Sequence, residues 1–121
     1  MAEEIKIKEL TKKRGSIKAQ LTQFTTFLNT IKSCEQLSEE QLVELDIRIE
    51  KMVALYDTYN QFQTQLECLS ACPDEQYFER DQFESNYFKQ RATACALVTQ
   101  HRSRLASKTH LPDLFQTVAI S

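Results

Sequence analysis

The side chains of this chain that could do chemistry are few, and its four cysteines are the first candidates. Cys68 and Cys72 stand four positions apart, one turn of a helix, so they could share a metal ion with Cys95 or His101. A structural zinc ion usually has four ligands supplied by two such pairs, and this sequence contains one loose pair. We therefore predict free thiols buried in the core, and we expect no metal and no other cofactor.

Catalytic chemistry has even less support in the sequence. The histidines, His101 and His110, lie on a basic helical stretch and near the end of the chain, and neither has a nucleophile partner in its local sequence. The single glycine excludes the usual glycine-rich phosphate loops. Carboxylates are abundant, but they occur in runs that suit solvated helix faces and lack the apolar setting of a catalytic acid. We expect that the protein is not an enzyme.

The composition predicts helices. One glycine and two prolines in 121 residues leave little material for turns, and 41% hydrophobic residues suffice for one modest core. The net charge of −2 makes no general case for nucleic acid or an anionic membrane. The N-terminus is charged, and no apolar run approaches the ~20 residues that cross a bilayer. We therefore expect a cytoplasmic protein without a transmembrane segment.

Hydrophobic spacing divides the chain into three helices and a tail. The helices are predicted at about 3–32, 39–70 and 74–107 within one helical domain at 1–108. Ser38 to Gln41 form a capping-box sequence at the start of the second helix. Pro73 suits the first position of the third helix. Residues 109–121 show no helical period and are predicted to be an extended or disordered tail.

The second helix carries a heptad seam around which the rest of the chain is organised. Its members follow intervals of three and four residues: Leu42, Leu45, Ile49, Met52, Tyr56, Tyr59, Gln63 and Leu66. Gln63 is the polar interruption, and we expect the neighbouring Phe62 to take over its packing. The seam has two possible partners, because it can close within one chain or pair with a second chain. Gln63 and the two tyrosines predict its wettest section, and the whole seam is our candidate self-association surface.

The first helix has a similar seam with its own interruption. Arg14 occupies a position where the repeat calls for an apolar residue, and Gly15 follows it. Because glycine inside a helix costs about 0.5–1 kcal/mol relative to alanine, we expect a bend or fraying there. The firm part of the helix is then predicted at 16–32. The apolar members of this seam are Leu10, Ile17, Leu21, Phe24, Leu28 and Ile31.

Charge bands predict how the helices are arranged. The first helix begins basic and the second begins acidic, whereas the third changes from acidic to basic along its length. Opposite charges become neighbours when the third helix runs parallel to the first and antiparallel to the second. The predicted fold is therefore an all-α, up-down-up antiparallel three-helix bundle with long, coiled-coil-like helices.

Basic residues on the first and third helices form a candidate contact for RNA or an anionic membrane. Such patches give a salt-dependent affinity that does not depend on sequence. The alternative is a solvated face whose cations pair with acidic neighbours. The candidate residues are Lys12, Lys13, Arg14, Lys18, Arg102 and Arg104.

Two blocks of the sequence, with the acidic start of the second helix between them, resemble a known family. The blocks are Lys13-Arg14-Gly15-Ser16-Ile17-Lys18-Ala19-Gln20-Leu21-Thr22-Gln23-Phe24 and Phe83-Glu84-Ser85-Asn86-Tyr87-Phe88, the latter followed by Ala92, Ala94 and Ala96. They resemble the N-terminal helical region of Gag-like polyproteins of the BEL/Pao group of insect LTR retrotransposons. The resemblance covers roughly residues 10–105. It implies either a piece of such a polyprotein or a host gene derived from one.

The resemblance implies a part in Gag self-association and assigns no catalytic residue. The chain contains no zinc knuckle, protease motif or polymerase motif of that family. The residues and the resemblance together predict a non-enzymatic module for protein interaction and self-assembly. Its expected partner is a second copy of the chain or another helical protein. The alternative is an RNA- or membrane-binding module that uses the basic face of the first and third helices.

Overall fold

In the computed structural model, residues 2–108 are described, so the predicted tail at 109–121 lies outside the described residues. The described chain forms three helices, α1 (Ala2–Lys32), α2 (Glu39–Leu69) and α3 (Pro73–Lys108), and contains no strand. Each helix boundary lies within one residue of its predicted position. The all-α prediction is confirmed.

Local chemistry defines where the helices begin. The Ser38 hydroxyl accepts a hydrogen bond from the Gln41 N–H at 3.1 Å, and the Gln41 side-chain oxygen accepts one from the Ser38 N–H at 2.8 Å. This is the predicted capping box, in which two side chains satisfy backbone donors that a helix start leaves free. Pro73 is the first residue of α3, where its fixed φ suits a helix and its missing N–H costs nothing.

Contacts between the helices show their direction. Arg14 of α1 contacts Gln76 of α3 at 2.8 Å, and farther along both helices Lys18 contacts Glu79 at 2.6 Å, so α1 and α3 run parallel. Arg80 near the start of α3 contacts Glu67 near the end of α2 at 2.7 Å, and Arg102 near the end of α3 contacts Asp46 near the start of α2 at 2.7 Å, so α2 and α3 run antiparallel. α2 packs against both neighbours, and α1 also contacts α3. The up-down-up bundle is confirmed.

The core lies along the predicted seams. All six apolar seam residues of α1 are buried, and Leu37 of the first connection closes that end of the bundle. On α3 the buried side chains are Phe83, Tyr87, Ala94, Val98 and His101. α1 continues as a helix through Gly15, so the expected fraying there is wrong. Packing of the seams on both sides of Gly15 holds the helix and outweighs the small propensity cost of one glycine.

Candidate functional site

The polar interruptions of the first two seams meet inside the bundle. Arg14 donates through Nη1 to the side-chain oxygens of Gln63, at 3.0 Å, and of Gln76, at 2.8 Å. The Gln63 amide donates in turn to the backbone carbonyl of Gln76 at 2.8 Å. Each helix therefore contributes one member to a set of three residues, Arg14, Gln63 and Gln76, which we call the polar layer.

The polar layer corrects two expectations from the sequence. Gln63 is fully buried and keeps its seam position, whereas Phe62 is half-buried beside it, so Phe62 does not replace it. Hydrogen bonds to α1 and α3 make this burial possible, because a buried amide is costly only when it lacks partners. Arg14 is likewise half-buried and points into the bundle, so its guanidinium is not displayed for nucleic acid.

A second polar cluster is centred on Arg80 of α3. Its guanidinium holds both oxygens of Glu67, with Nε at 2.7 Å and Nη2 at 3.2 Å. It also donates to Asn60 at 2.6 Å, to Thr64 at 3.1 Å and to Glu84 at 3.1 Å. The hydrogen bonds to Glu67 raise the pKa of Arg80 above its ordinary value. The Arg80 guanidinium donates to carboxylates of both α2 and α3. These hydrogen bonds fix the start of α3 against the end of α2.

The two seam tyrosines donate to carboxylates of α3. The Tyr56 hydroxyl contacts Glu84 at 2.7 Å, and the Tyr59 hydroxyl contacts Glu79 at 2.9 Å. Burial first, and then the hydrogen bond to Glu84, raises the pKa of Tyr56 to about 12. Burial and Glu79 raise the pKa of Tyr59 well above its ordinary value. Both phenols are therefore neutral donors at physiological pH, as these hydrogen bonds require.

Aromatic stacking continues this contact between α2 and α3. The rings of Tyr59 and Phe83 lie 3.6 Å apart between centroids at 9°, and those of Tyr56 and Tyr87 lie 4.8 Å apart at 20°. Phe88 packs edge-on against Tyr87 at 5.4 Å. A signal for this arrangement was present in the sequence, since Tyr56 and Tyr87 are almost equally distant from the break at Ala71. Antiparallel helices on either side of a short turn bring such residues together.

The predicted self-association seam is used up inside the chain. Ile49 and Tyr56 are half-buried, and the remaining members are buried: Leu42, Leu45, Met52, Tyr59, Gln63 and Leu66. Of the two arrangements left open by the sequence, the structure has the one that closes within a single chain. The section around Tyr56, Tyr59 and Gln63 packs against α1 and α3 of the same bundle. In this bundle the seam side chains are not exposed to a second chain.

The predicted basic residues do not form one face. Because α1 and α3 are parallel and Arg14 lies beside Gln76, Arg102 is about 39 Å farther along the bundle at ~1.5 Å per residue. Most of these cations also have partners within the described chain: Lys13 pairs with Glu9, Lys18 with Glu79, Arg102 with Asp46, and Arg104 with the Glu35 carbonyl. Lys12 is exposed. The combined basic face expected from the sequence is therefore split between the two ends of the bundle.

The side of α3 that points away from the core carries exposed aromatic residues. Phe78 is 66% exposed, Tyr77 55% and Phe88 51%. Small exposed residues follow them farther along the same side of the helix. We define the outer face of α3 as Tyr77, Phe78, Asp81, Phe88, Ala92, Cys95 and Ala96, all of which are exposed. Sequence reasoning assigned these aromatics to the third helix but not to its solvent side.

The prediction that the thiols are buried is wrong, since all four cysteines are free and exposed. Cys95 lies on the outer face because Ala94, which is fully buried, takes the core position beside it. A methyl group suits the close approach of helices there better than a larger thiol. Within residues 2–108, no group of three or more His, Cys, Asp or Glu side chains is placed to hold a metal ion.

An open hollow of about 490 Å³ lies where α1 ends. Cys34 and His101 both line it, together with Lys32 and Arg104. The Cys34 thiol contacts the Thr30 carbonyl at 3.9 Å, and Arg104 is bound to the Glu35 carbonyl at 2.6 Å. The carbonyl end of α1 faces this hollow, which disfavours an anionic ligand there.

Comparisons with protein-family models, with curated proteins and with solved structures gave no match. Within the part of the chain that the structure describes, no helix has an apolar stretch long enough to span a membrane.

Proposed function

We propose that the chain is a non-enzymatic helical module whose function is self-assembly. The observation that carries this proposal is the outer face of α3, where Tyr77, Phe78 and Phe88 are all more than half exposed. Aromatic residues are enriched in the central parts of protein interfaces. A group of them exposed on one helix side favours an interface over a face that meets only water.

The rest of the bundle supports this reading by leaving little else for a partner to bind. The apolar seams and the polar layer are closed within one chain, and every buried side-chain polar atom among the described residues has a hydrogen-bond partner. The other large exposed apolar residues are aliphatic and form smaller groups. They are Val43 and Ile47 on α2 and Ile5 on α1. Within residues 2–108, the large exposed aromatic side chains all lie on the outer face of α3.

Rigidity is the second argument for the outer face. Arg80 binds Glu67 and Asn60 of α2, and Tyr59 stacks on Phe83 at 3.6 Å. These contacts hold the first half of α3 on one side while Phe78 stays exposed on the other. A surface that is already ordered loses less conformational entropy on association. The resemblance of residues 13–28 and 83–96 to a Gag helical region points to the same role.

Sedimentation velocity over two orders of magnitude in protein concentration tests the proposal. We expect the sedimentation coefficient to rise with concentration and the rise to shift to higher concentration in Phe78→Ala. The matched control is Ile47→Ala, which removes a comparably exposed apolar side chain from α2 and should behave as the wild type.

A sedimentation coefficient that stays at the monomer value at every concentration would overturn the self-assembly proposal. The runner-up function is RNA binding through the cations of α1. A salt-sensitive shift of single-stranded RNA by a strictly monomeric protein would support that function instead.

A further inference from the structure

The outer face of α3 has a pattern that specifies its partner. We propose that α3 pairs antiparallel with α3 of a second copy across a two-fold axis close to Asn86 and Tyr87. In this arrangement Phe78 of each copy packs on Ala92 and Ala96 of the other. The inference rests on the proposed self-assembly and adds to it the surface, the direction and the register.

Side-chain size is the first argument. The outer face is large in its first half, at Tyr77 and Phe78, and small in its second half, at Ala92, Cys95 and Ala96. An antiparallel pair places the large half of one copy against the small half of the other. A parallel pair would place Phe78 against Phe78 and alanine against alanine, which leaves one end overfilled and the other with gaps.

Helical spacing is the second argument. Tyr77 and Cys95 are eighteen residues apart, as are Phe78 and Ala96, and eighteen residues make five turns at about 3.6 residues per turn. Each large residue therefore lies on the same line along α3 as its small counterpart. A two-fold axis perpendicular to the helix places the line through Tyr77 and Cys95 against the same line of the second copy. The line through Phe78 and Ala96 likewise meets its equivalent, so one face can be complementary to itself. Phe78 opposite Ala96 would centre the axis at Tyr87, and Tyr77 opposite Cys95 would centre it at Asn86. One axis midway between Asn86 and Tyr87 leaves each pair only about 1.5 Å out of line, at ~1.5 Å per residue.

Charge is the third argument and is independent of size. Asp74, Glu75 and Asp81 in the first half of α3 are exposed, and Lys89 and Arg91 in the second half are exposed as well. In the proposed register Asp81 of one copy lies across from Ala92 of the other. Ala92 directly follows Arg91 and is about one turn from Lys89. Antiparallel pairing thus brings Asp81 of each copy near Lys89 and Arg91 of the other, once in each half of the interface. Parallel pairing would align like charges along the whole helix.

The surface near the axis is consistent with a close contact. In the proposed register Phe88 of each copy lies across from Ser85 of the other. The two half-exposed Phe88 rings therefore lie on opposite sides of the axis and do not collide. The pairing extends from about Asp74 to Thr99, which is roughly 39 Å of helix at ~1.5 Å per residue. Such a length is sufficient for several layers of side-chain packing on each side of the axis.

A charge-swap experiment tests the direction of pairing. One variant is Asp81→Lys and the other is Lys89→Glu with Arg91→Glu. Each variant alone should self-associate at least tenfold more weakly than the wild type, because like charges then face each other across both halves of the interface. An equal mixture of the two should recover association, since every swapped acid then faces a swapped base. This recovery also shows that the single variants remain folded.

A cross-link tests the register. The protein carries Tyr77→Cys together with Cys34→Ser, Cys68→Ser and Cys72→Ser, so Cys95 is the other thiol that remains. Mild oxidation should give a disulfide-linked dimer in which position 77 of one copy is joined to Cys95 of the other, as identified by peptide mass mapping. The matched control carries Ile47→Cys instead of Tyr77→Cys and should give at least tenfold less dimer joined through Cys95.

The outcomes separate the two proposals. Association of the wild type with recovery in the mixture and a link between position 77 and Cys95 supports both. Association of the wild type that neither charge swap weakens, or a Tyr77→Cys variant that gives no more Cys95-linked dimer than the Ile47→Cys control, overturns the antiparallel α3 pairing and leaves self-assembly standing. A wild type that stays monomeric at every concentration overturns both.

Discussion

The polar layer makes a sharp prediction, because the interruption in each seam is the hydrogen-bond partner of the other. The perturbation is a double-mutant cycle with Arg14→Leu, Gln63→Leu and the variant that carries both. Arg14→Leu leaves the Gln63 side-chain oxygen without its 3.0 Å donor in a position with no solvent exposure. Gln63→Leu removes one acceptor from Arg14 and the amide donor from the Gln76 carbonyl.

The expected magnitudes follow from what each variant leaves unpaired. A buried acceptor without a partner costs about 1–3 kcal/mol, so Arg14→Leu should lower the free energy of unfolding by that amount. Gln63→Leu should cost about 1–2 kcal/mol, since Arg14 keeps Gln76 and is exposed enough to reach water. The double variant fills both seams with leucine and removes Arg14 and Gln63 together, while the half-buried Gln76 loses both of its side-chain donors. Its loss should be smaller than the sum of the single losses by about 1–2 kcal/mol.

Urea unfolding followed by circular dichroism at the helix band measures all four proteins. The matched control is a cycle between Lys12→Leu on α1 and Gln61→Leu on α2, which are exposed positions and should be additive. Single losses at Arg14 and Gln63 that add within about 0.5 kcal/mol would refute the reasoning. In that case the two side chains stabilise the bundle independently, and the hydrogen bond between them contributes nothing that water does not replace.

Three further predictions concern individual positions. Gly15→Ala should raise the free energy of unfolding by about 0.5–1 kcal/mol, because the added Cβ meets no atom within 4 Å; a loss measured by urea unfolding would mean that α1 needs glycine there. Arg80→Leu should cost about 1.5–3 kcal/mol by the same assay and Arg80→Lys should recover only part, since lysine cannot hold both oxygens of Glu67; full recovery would contradict the two-oxygen contact. The raised pKa values of Tyr56, to about 12, and Tyr59 mean that the native state keeps protons that the unfolded state releases above about pH 10, so their stabilising contribution is complete below that pH and declines above it. Urea midpoints measured between pH 9 and 12 should therefore fall less steeply in Tyr59→Phe than in the wild type, and equal slopes would contradict this.

The parts of the fold that could be predicted from the sequence are those set by local chemistry and by period. The capping box at Ser38, the helix start at Pro73 and the seams of α1 and α2 each depend on residues close together in the chain. The charge bands then predicted the topology, because few arrangements of three helices bring opposite bands together. The pair formed by Lys18 and Glu79 shows that the argument was sound.

The parts that could not be predicted depend on which side of a helix a single residue takes. The spacing of α3 is less regular than that of α2, so small residues such as Ala94 and Cys95 were equal candidates for the core. Only packing against two other helices decides that the methyl group goes inside. The role of Arg80 was hidden for a related reason, since its partners Asn60, Thr64 and Glu67 come from another helix.

Register is the property that links the polar layer to the outer face of α3. If α1 slipped by one heptad along α2, Gln63 would lie across from Ile7 or Leu21, and Arg14 would lose its side-chain acceptors. A buried amide without partners costs about 1–3 kcal/mol, whereas the leucines and isoleucines of the seams tolerate the slip. The polar layer thus penalises the wrong registers at a position where apolar residues would accept several.

The same layer holds α3 in place, because Gln76 accepts from Arg14 and its carbonyl accepts from Gln63. Two residues farther along, Phe78 begins the outer face. A shift of α3 along α2 would therefore carry Phe78 and the charge bands with it and disturb the match between the two halves of the proposed interface. The double leucine variant removes this penalty on slipped registers, whereas Arg80 on Glu67 and Tyr59 on Phe83 still hold α3 against α2. In the Tyr77→Cys protein we accordingly expect the double leucine variant to keep the cross-link between position 77 and Cys95, because these contacts preserve the register of α3 and neither substitution touches the outer face.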